Sequence, residues 1–115
     1  KLWGIIINFR EKLTELFENK NIFYTLYEHT KFEIIEYDCN EIILRTKFNN
    51  TVYIKISEIE KAYEHLLKNE TITRNEIKEL YSPNNSSYVI TLIAYLGDYD
   101  HIKYPRITIF TNEDI

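Results

Sequence analysis

The sequence predicts an α+β protein in which one helix and a small antiparallel sheet precede three more helices and a short final strand. Three observations predict this class. Apolar residues recur with a helical period in residues 2–19, alternate with polar residues in residues 52–56, and return to a helical period after residue 57. With 115 residues, 44% of them hydrophobic, the chain suffices for one core, and we expect a single domain.

The first part of that domain, residues 1–56, is expected to be a helix followed by a β-meander. The helix places Phe9, Leu13 and Phe17 on one face. Three extended runs follow, separated by turn-forming residues. They cover residues 32–37, 42–47 and 52–56, and residues 22–27 are a candidate for a further strand in front of them. If Tyr37 and Tyr53 share the outer face of this sheet, their rings could stack on bases or pack against a partner protein; alternatively, they are half-buried sheet residues.

The second part, residues 57–115, predicts three helices with strong local start signals. Ser57 with Glu60, and Thr73 with Glu76, match the capping box in which each side chain bonds the other residue's backbone amide. The helices are expected over residues 57–69, 74–81 and 86–96, with Gly97 in the left-handed conformation that ends a helix. A polar loop at residues 98–101 then leads to a last strand at residues 106–110.

The lengths and spacing of these three helices are those of a helix-turn-helix unit, and a strand follows them. Residues 57–110 therefore resemble winged helix-turn-helix domains in element order and spacing. The resemblance implies that the third helix enters the major groove of DNA and that the following strands form a wing on the phosphates. The residues it implicates are Arg74 and Lys78 on the second helix, Ser86, Ser87, Tyr88, Thr91 and Tyr95 on the third, and Lys103 and Arg106 in the wing.

The charge distribution departs from that pattern. The formal net charge is −4, residues 57–115 carry six basic and ten acidic groups, and residues 84–97 contain no Lys or Arg. Hydroxyl and amide groups can bond bases or phosphates, but they release no counterions. Two hypotheses follow: a non-catalytic module that binds double-stranded DNA, or an acidic module that binds or inhibits a protein and is a candidate homodimer.

No cluster of residues favours an enzyme. Glu76, Ile77 and Lys78 match the acid-x-Lys element of a metal-dependent nuclease, but Glu76 is already assigned to a helix cap. Asp98, Asp100 and His101 are the densest group of potential metal ligands, and a solvated loop is their more common role. We therefore expect no catalytic residue, no metal and no cofactor.

Nothing in the sequence directs the chain to a membrane or out of the cell. No apolar run approaches the roughly 18–20 residues of a membrane span, and no signal-peptide pattern is visible. A single cysteine, Cys39, excludes an internal disulfide. The sequence therefore predicts a cytoplasmic protein without a membrane partner.

Overall fold

A computed structural model describes the backbone of residues 2–96, 99–103 and 106–109 and the side chains of residues 9–96. It confirms the α+β class, with four helices and a four-stranded antiparallel sheet among the described residues. The helices are α1 (Leu2–Asn19), α2 (Ile56–Asn69), α3 (Arg74–Leu80) and α4 (Ser86–Leu96). The strands are β1 (Ile22–Tyr24), β2 (Lys31–Tyr37), β3 (Glu41–Thr46), β4 (Thr51–Lys55), β5 (Thr71–Thr73), β6 (Tyr99–Lys103) and β7 (Arg106–Ile109).

Strands β1 to β4 form a meander in which every neighbouring pair is antiparallel. Alternation places one set of side chains on the helix-covered face, where Phe23, Phe32, Ile42, Leu44 and Ile54 are buried. A bulge between Ile34 and Glu36 shifts the register of β2. Because of it, Tyr37 pairs with Ile42 on the covered face and its ring contacts Phe17. Tyr37 and Tyr53 therefore do not share the outer face.

The second sheet has the order β5-β7-β6, and two of its strands differ from the sequence predictions. Strand β5 lies between α2 and α3, where no strand was predicted, and it pairs with β7. Strand β6 includes residues 99–101, for which a polar loop was predicted, so that prediction is wrong. The predicted role of Gly97 as the residue that ends the helix lies outside the described residues.

The two predicted capping boxes have different outcomes. At α3 the box is present, since Thr73 Oγ1 accepts the amide of Glu76 and Glu76 Oε1 accepts the amide of Thr73. At α2 it is absent, because the helix begins one residue earlier, at Ile56, with Lys55 as its N-cap and no side-chain cap. The buried Ile56 also donates its amide to Asn40 O at 2.9 Å, which joins the helix start directly to the sheet.

One continuous hydrophobic core joins α1, the first sheet, α2, α3 and α4. Tyr63 and Phe9 are among its largest buried side chains, and their rings lie 5.6 Å apart. In the described part of the chain, no helix is both long enough and apolar enough to cross a membrane.

Candidate nucleic-acid interface

Helix α4, the predicted DNA-reading helix, lies at the centre of the molecule. It packs against α1, α2 and α3. Its buried residues occupy all sides of the helix: Val89, Ile90, Thr91, Leu92, Ile93, Ala94 and Leu96. A helix that is apolar all round is a buried helix, and this one contains no charged residue. From its second turn onward α4 therefore cannot enter a DNA groove.

Thr91 shows how firmly this helix is enclosed. Its side chain is 0% exposed. Its hydroxyl accepts the amide of Leu26 at 2.9 Å and donates to Ser87 O at 2.8 Å. Because Leu26 lies in the loop between β1 and β2, Thr91 joins α4 to the first sheet. The prediction that Thr91 faces a DNA groove is wrong.

Two predicted groove residues, Tyr88 and Tyr95, also pack against the first sheet. Tyr88 is half-buried, with its ring edge-on to Phe32 at a centroid distance of 5.0 Å. Burial raises the pKa of the Tyr88 hydroxyl. Tyr95 remains partly exposed, but its ring contacts Phe23 at 5.2 Å. Both rings thus take part in the packing of α4 against the first sheet, and Tyr95 keeps an exposed part.

The remaining predicted residues of α3 and α4 do come together. Arg74 and Lys78 on α3 face Ser86 and Ser87 at the start of α4 across an open groove of about 510 Å³. We call this the α3–α4 groove. Asn75, Pro83 and Asn84 complete its lining. The groove thus collects two cations, two hydroxyls and two amides at the N-terminal end of α4.

Arg74 is held at the edge of this groove by Glu28, in the loop between β1 and β2. Its Nη1 lies 2.5 Å from Glu28 Oε2. The hydrogen bond from Arg74 lowers the pKa of Glu28. The ion pair therefore contributes above the ordinary pKa of a glutamate, and that contribution is lost as the pH falls through the lowered pKa. Both side chains are partly exposed, so the contribution is small.

Helix α3 is short, and contacts at both its ends fix its position beside α4. The capping box closes its N-terminal end, and Ile77 is fully buried beneath it. Just after its C-terminal end, the hydroxyl of Tyr81 and Nδ1 of His65 share a hydrogen bond of 2.8 Å. The buried Ser82 then donates to Glu58 Oε1 at 2.5 Å. The cap and the contacts of Tyr81 and Ser82 with α2 therefore fix both ends of α3 beside the groove.

The two predicted wing residues are placed by the backbone alone. In the second sheet, Arg106 pairs with Thr73 on one side and with Lys103 on the other. Thr73 immediately precedes Arg74, so both wing positions lie at the end of the sheet where α3 begins. Their side chains lie outside the described residues.

Among the side chains at positions 9–96, no three His, Cys, Asp or Glu residues are grouped so that they could hold a metal ion. The side chains of Asp98, Asp100 and His101 lie outside that range. Cys39 is exposed beside a small apolar cavity, and its carbonyl accepts a 2.6 Å hydrogen bond from Arg10.

Sequence reasoning missed one charged surface, at the end of the first sheet where β2 begins and β3 ends. Lys31, Arg45 and Lys47 line a cavity of about 250 Å³ there, and the neighbouring Phe48 is 75% exposed. A signal was present in the sequence, because residues 42–57 contain three cations and no carboxylate. Counted over all of residues 1–56, eight basic groups balance eight acidic groups, so the total charge does not show this local basic segment.

Comparisons with protein families, with characterised proteins and with solved structures returned no match to this chain.

Proposed function

We propose that this chain is a non-catalytic module that binds double-stranded DNA through the α3–α4 groove. The observation that carries the proposal is the convergence of Arg74, Lys78, Ser86 and Ser87 on that one open groove. The four positions come from two helices, and the resemblance to winged helix-turn-helix domains implicated all of them. Their shared chemistry is donation to phosphate oxygens.

The groove suits a phosphate backbone better than a base edge. Cationic side chains neutralise phosphates, hydroxyls and amides donate to their oxygens, and the N-terminal end of a helix attracts anions. From Val89 to Ala94 every side chain of α4 is buried, so none of these six residues can reach a base edge. The proposed contact is thus made to the phosphates, and we expect little preference for the base sequence of the DNA.

The second sheet adds support on the same side. The hairpin of β6 and β7 follows α4, as the wing follows the third helix in winged helix-turn-helix domains. Its register puts Lys103 and Arg106 in one row with Thr73, beside Arg74. Wing residues at that end of the sheet would extend the phosphate contact beyond the groove.

The test is fluorescence anisotropy with a labelled 20-base-pair duplex of mixed sequence, repeated across a salt series. We expect binding that weakens with salt, and we expect Lys78→Ala to make the log–log salt slope shallower by about one, the effect of losing one phosphate contact. Lys61→Ala is the matched control, because it removes an exposed lysine from α2. Equal effects of the two variants would mean that the DNA does not contact the groove. No binding at low salt would refute the proposal.

A second variant tests the part played by Arg74. Glu28→Gln removes the carboxylate that pairs with Arg74 and leaves the guanidinium available for phosphate. We expect the duplex to bind about 2- to 5-fold more tightly, which corresponds to the free energy of one exposed ion pair. Glu36→Gln, at an exposed position of β2, makes the same change in net charge. If it tightens binding equally, net charge explains the gain and Arg74 does not.

A specific observation also favours the second candidate, a protein-interaction module. The helices pack on the face of the first sheet that carries Phe23 and Ile54, and the opposite face has an apolar pair, Ile43 and Tyr53, at its centre beside Glu36. There Ile43 pairs with Tyr53, which is 60% exposed, and Ile35 lies in the neighbouring bulge. If the duplex does not bind, sedimentation analysis for a homodimer and a pull-down with Tyr53→Asp as the control become the next experiments.

A further inference from the structure

The loop end of the first sheet, remote in sequence from α3 and α4, has the features of a binding surface of its own. Lys31, Arg45 and Lys47 are exposed there and line one cavity, and Phe48 projects beside them. We call these four residues the basic hairpin end. Phe48 is the most exposed of the large hydrophobic side chains that the structure describes, at 75%.

A tight turn holds Phe48 in this position. The amide of Asn49 donates to Thr46 O at 2.9 Å, which makes Lys47 and Phe48 the two central residues of the turn. Asn49 adopts a left-handed conformation, with φ of 69°, that asparagine tolerates well. The amide of Asn50 also donates to Thr46 Oγ1 at 3.1 Å. The exposed ring therefore belongs to a turn with several internal hydrogen bonds.

The charge around the turn is positive. Residues 42–57 carry Arg45, Lys47 and Lys55 and no carboxylate. Glu33 is the acidic residue in the lining of the cavity, and it accepts a hydrogen bond from Asn21 Nδ2. Lys47 Nζ lies 5.6 Å from the centroid of the Phe48 ring, so a cation and an aromatic face occur together. An anion with a planar hydrophobic part complements such a surface.

One residue of the basic hairpin end, Lys31, is also close along the chain to the loop that contacts the α3–α4 groove. Lys31 is three residues from Glu28, so their Cα atoms are separated by at most about 11 Å. Glu28 in turn pairs with Arg74 at the edge of the groove. A polyanion lying along Arg74 and the loop between β1 and β2 would reach Lys31 next.

We propose that the basic hairpin end binds single-stranded nucleic acid, with phosphates on Lys31, Arg45 and Lys47 and a base stacked on Phe48. Base faces are accessible in single strands and covered in a duplex, and stacking on an aromatic side chain together with a cationic groove is how single strands are bound without sequence preference. The inference rests on the proposed function in taking nucleic acid as the ligand. It is independent of the α3–α4 groove in the residues it uses.

The experiment is fluorescence anisotropy with a labelled 20-nucleotide oligothymidylate and, in parallel, with the mixed-sequence duplex. We expect Phe48→Ala to weaken oligothymidylate binding by about 5-fold or more, the loss found when a stacking aromatic is truncated. Tyr53→Ala removes another well-exposed aromatic, from the outer face of the sheet, and should leave binding within about 2-fold. Lys47→Ala should make the salt slope shallower by about 0.7, the value for one phosphate of a single strand.

The outcomes separate this inference from the proposed function. Duplex binding that depends on Lys78, together with no oligothymidylate binding, would overturn the inference and leave the groove intact. Oligothymidylate binding that depends on Phe48, without duplex binding, would support the inference and refute the proposed function of the groove. An unchanged affinity in Phe48→Ala would also overturn the inference. Binding to phosphatidylserine vesicles that is lost in Phe48→Ala, with no oligothymidylate binding, would reassign the surface to a membrane.

Discussion

Replacing Phe32 with alanine is expected to lower the free energy of unfolding by about 3–5 kcal/mol. Phe32 is 1% exposed, so the substitution removes a full aromatic side chain from the core. Its ring stacks on Phe23 at 5.5 Å and meets the edge of Tyr88 at 5.0 Å. The loss therefore falls on the junction between the first sheet and α4. Urea denaturation followed by circular dichroism measures it.

The matched control is Phe48→Ala, because the same side chain is removed from a position that is 75% exposed. Its free energy of unfolding should change by less than about 0.5 kcal/mol. A double-mutant cycle of Phe32→Ala and Tyr88→Ala then isolates the contact between the sheet and α4. We expect a coupling energy of about 0.5–1.5 kcal/mol. Additive effects of the two substitutions would contradict the packing of α4 against the sheet.

The second large effect is expected for Thr91→Val, which keeps the shape of the side chain and removes its hydroxyl. The amide of Leu26 would lose its acceptor, at present 2.9 Å away, in a part-buried position. An unpaired buried donor costs about 1–3 kcal/mol, and we expect the free energy of unfolding to fall by that amount. Urea denaturation again provides the measurement.

Thr14→Val is the control for this substitution, since Thr14 is also helical but exposed. It should change stability by no more than about 0.5 kcal/mol. Amide hydrogen exchange gives a second readout, because the Leu26 amide should lose its protection in Thr91→Val. Equal stability of Thr91→Val and the parent chain would mean that the hydroxyl does not join α4 to the sheet.

Local signals predicted much of the fold because they act within one turn of helix or between adjacent strands. The Thr73 box lies in four consecutive residues, and the structure contains it. The Ser57 box is equally good in sequence but does not form. There the buried Ile56 is bonded to Asn40 and starts the helix earlier, and Glu58 bonds the buried Ser82. A tertiary contact outweighs a cap, which stabilises a helix by about 1 kcal/mol.

Strand β5 is the opposite case, because the structure contains it although no local sequence pattern predicts it. Its three residues, Thr71 to Thr73, carry no periodicity that a sequence pattern can use. The strand exists because Ile72 is buried and because β7, more than 30 residues later, supplies its hydrogen-bonding partner. Non-local pairing of this kind leaves no local trace.

In the candidate site, too, local spacing placed some residues and tertiary packing decided the position of others. Helix spacing singled out Arg74, Lys78, Ser86 and Ser87, and in the structure these four residues line one groove where two helices joined by a short turn meet. The same spacing placed Thr91 on the groove-facing side, which is wrong, although one signal was available: residues 88–96 contain no charged side chain, as expected of a largely buried helix. The spacing of Val89, Leu92, Ile93 and Leu96 predicts one buried face, but Ile90 and Ala94 on the other side are buried as well.

The sequence by itself determined the α+β class, the approximate helices and strands of the meander, and the cap of α3, because periodicity and capping act between near neighbours in the chain. Only the tertiary structure decided which face of the molecule is open. The first sheet lies on α4 through Phe32, Leu26 and Phe23, contacts that span more than 55 residues. Burial of residues 89–94 leaves the open α3–α4 groove at the N-terminal end of that helix, and this groove and the exposed basic hairpin end are the two surfaces on which the proposals rest.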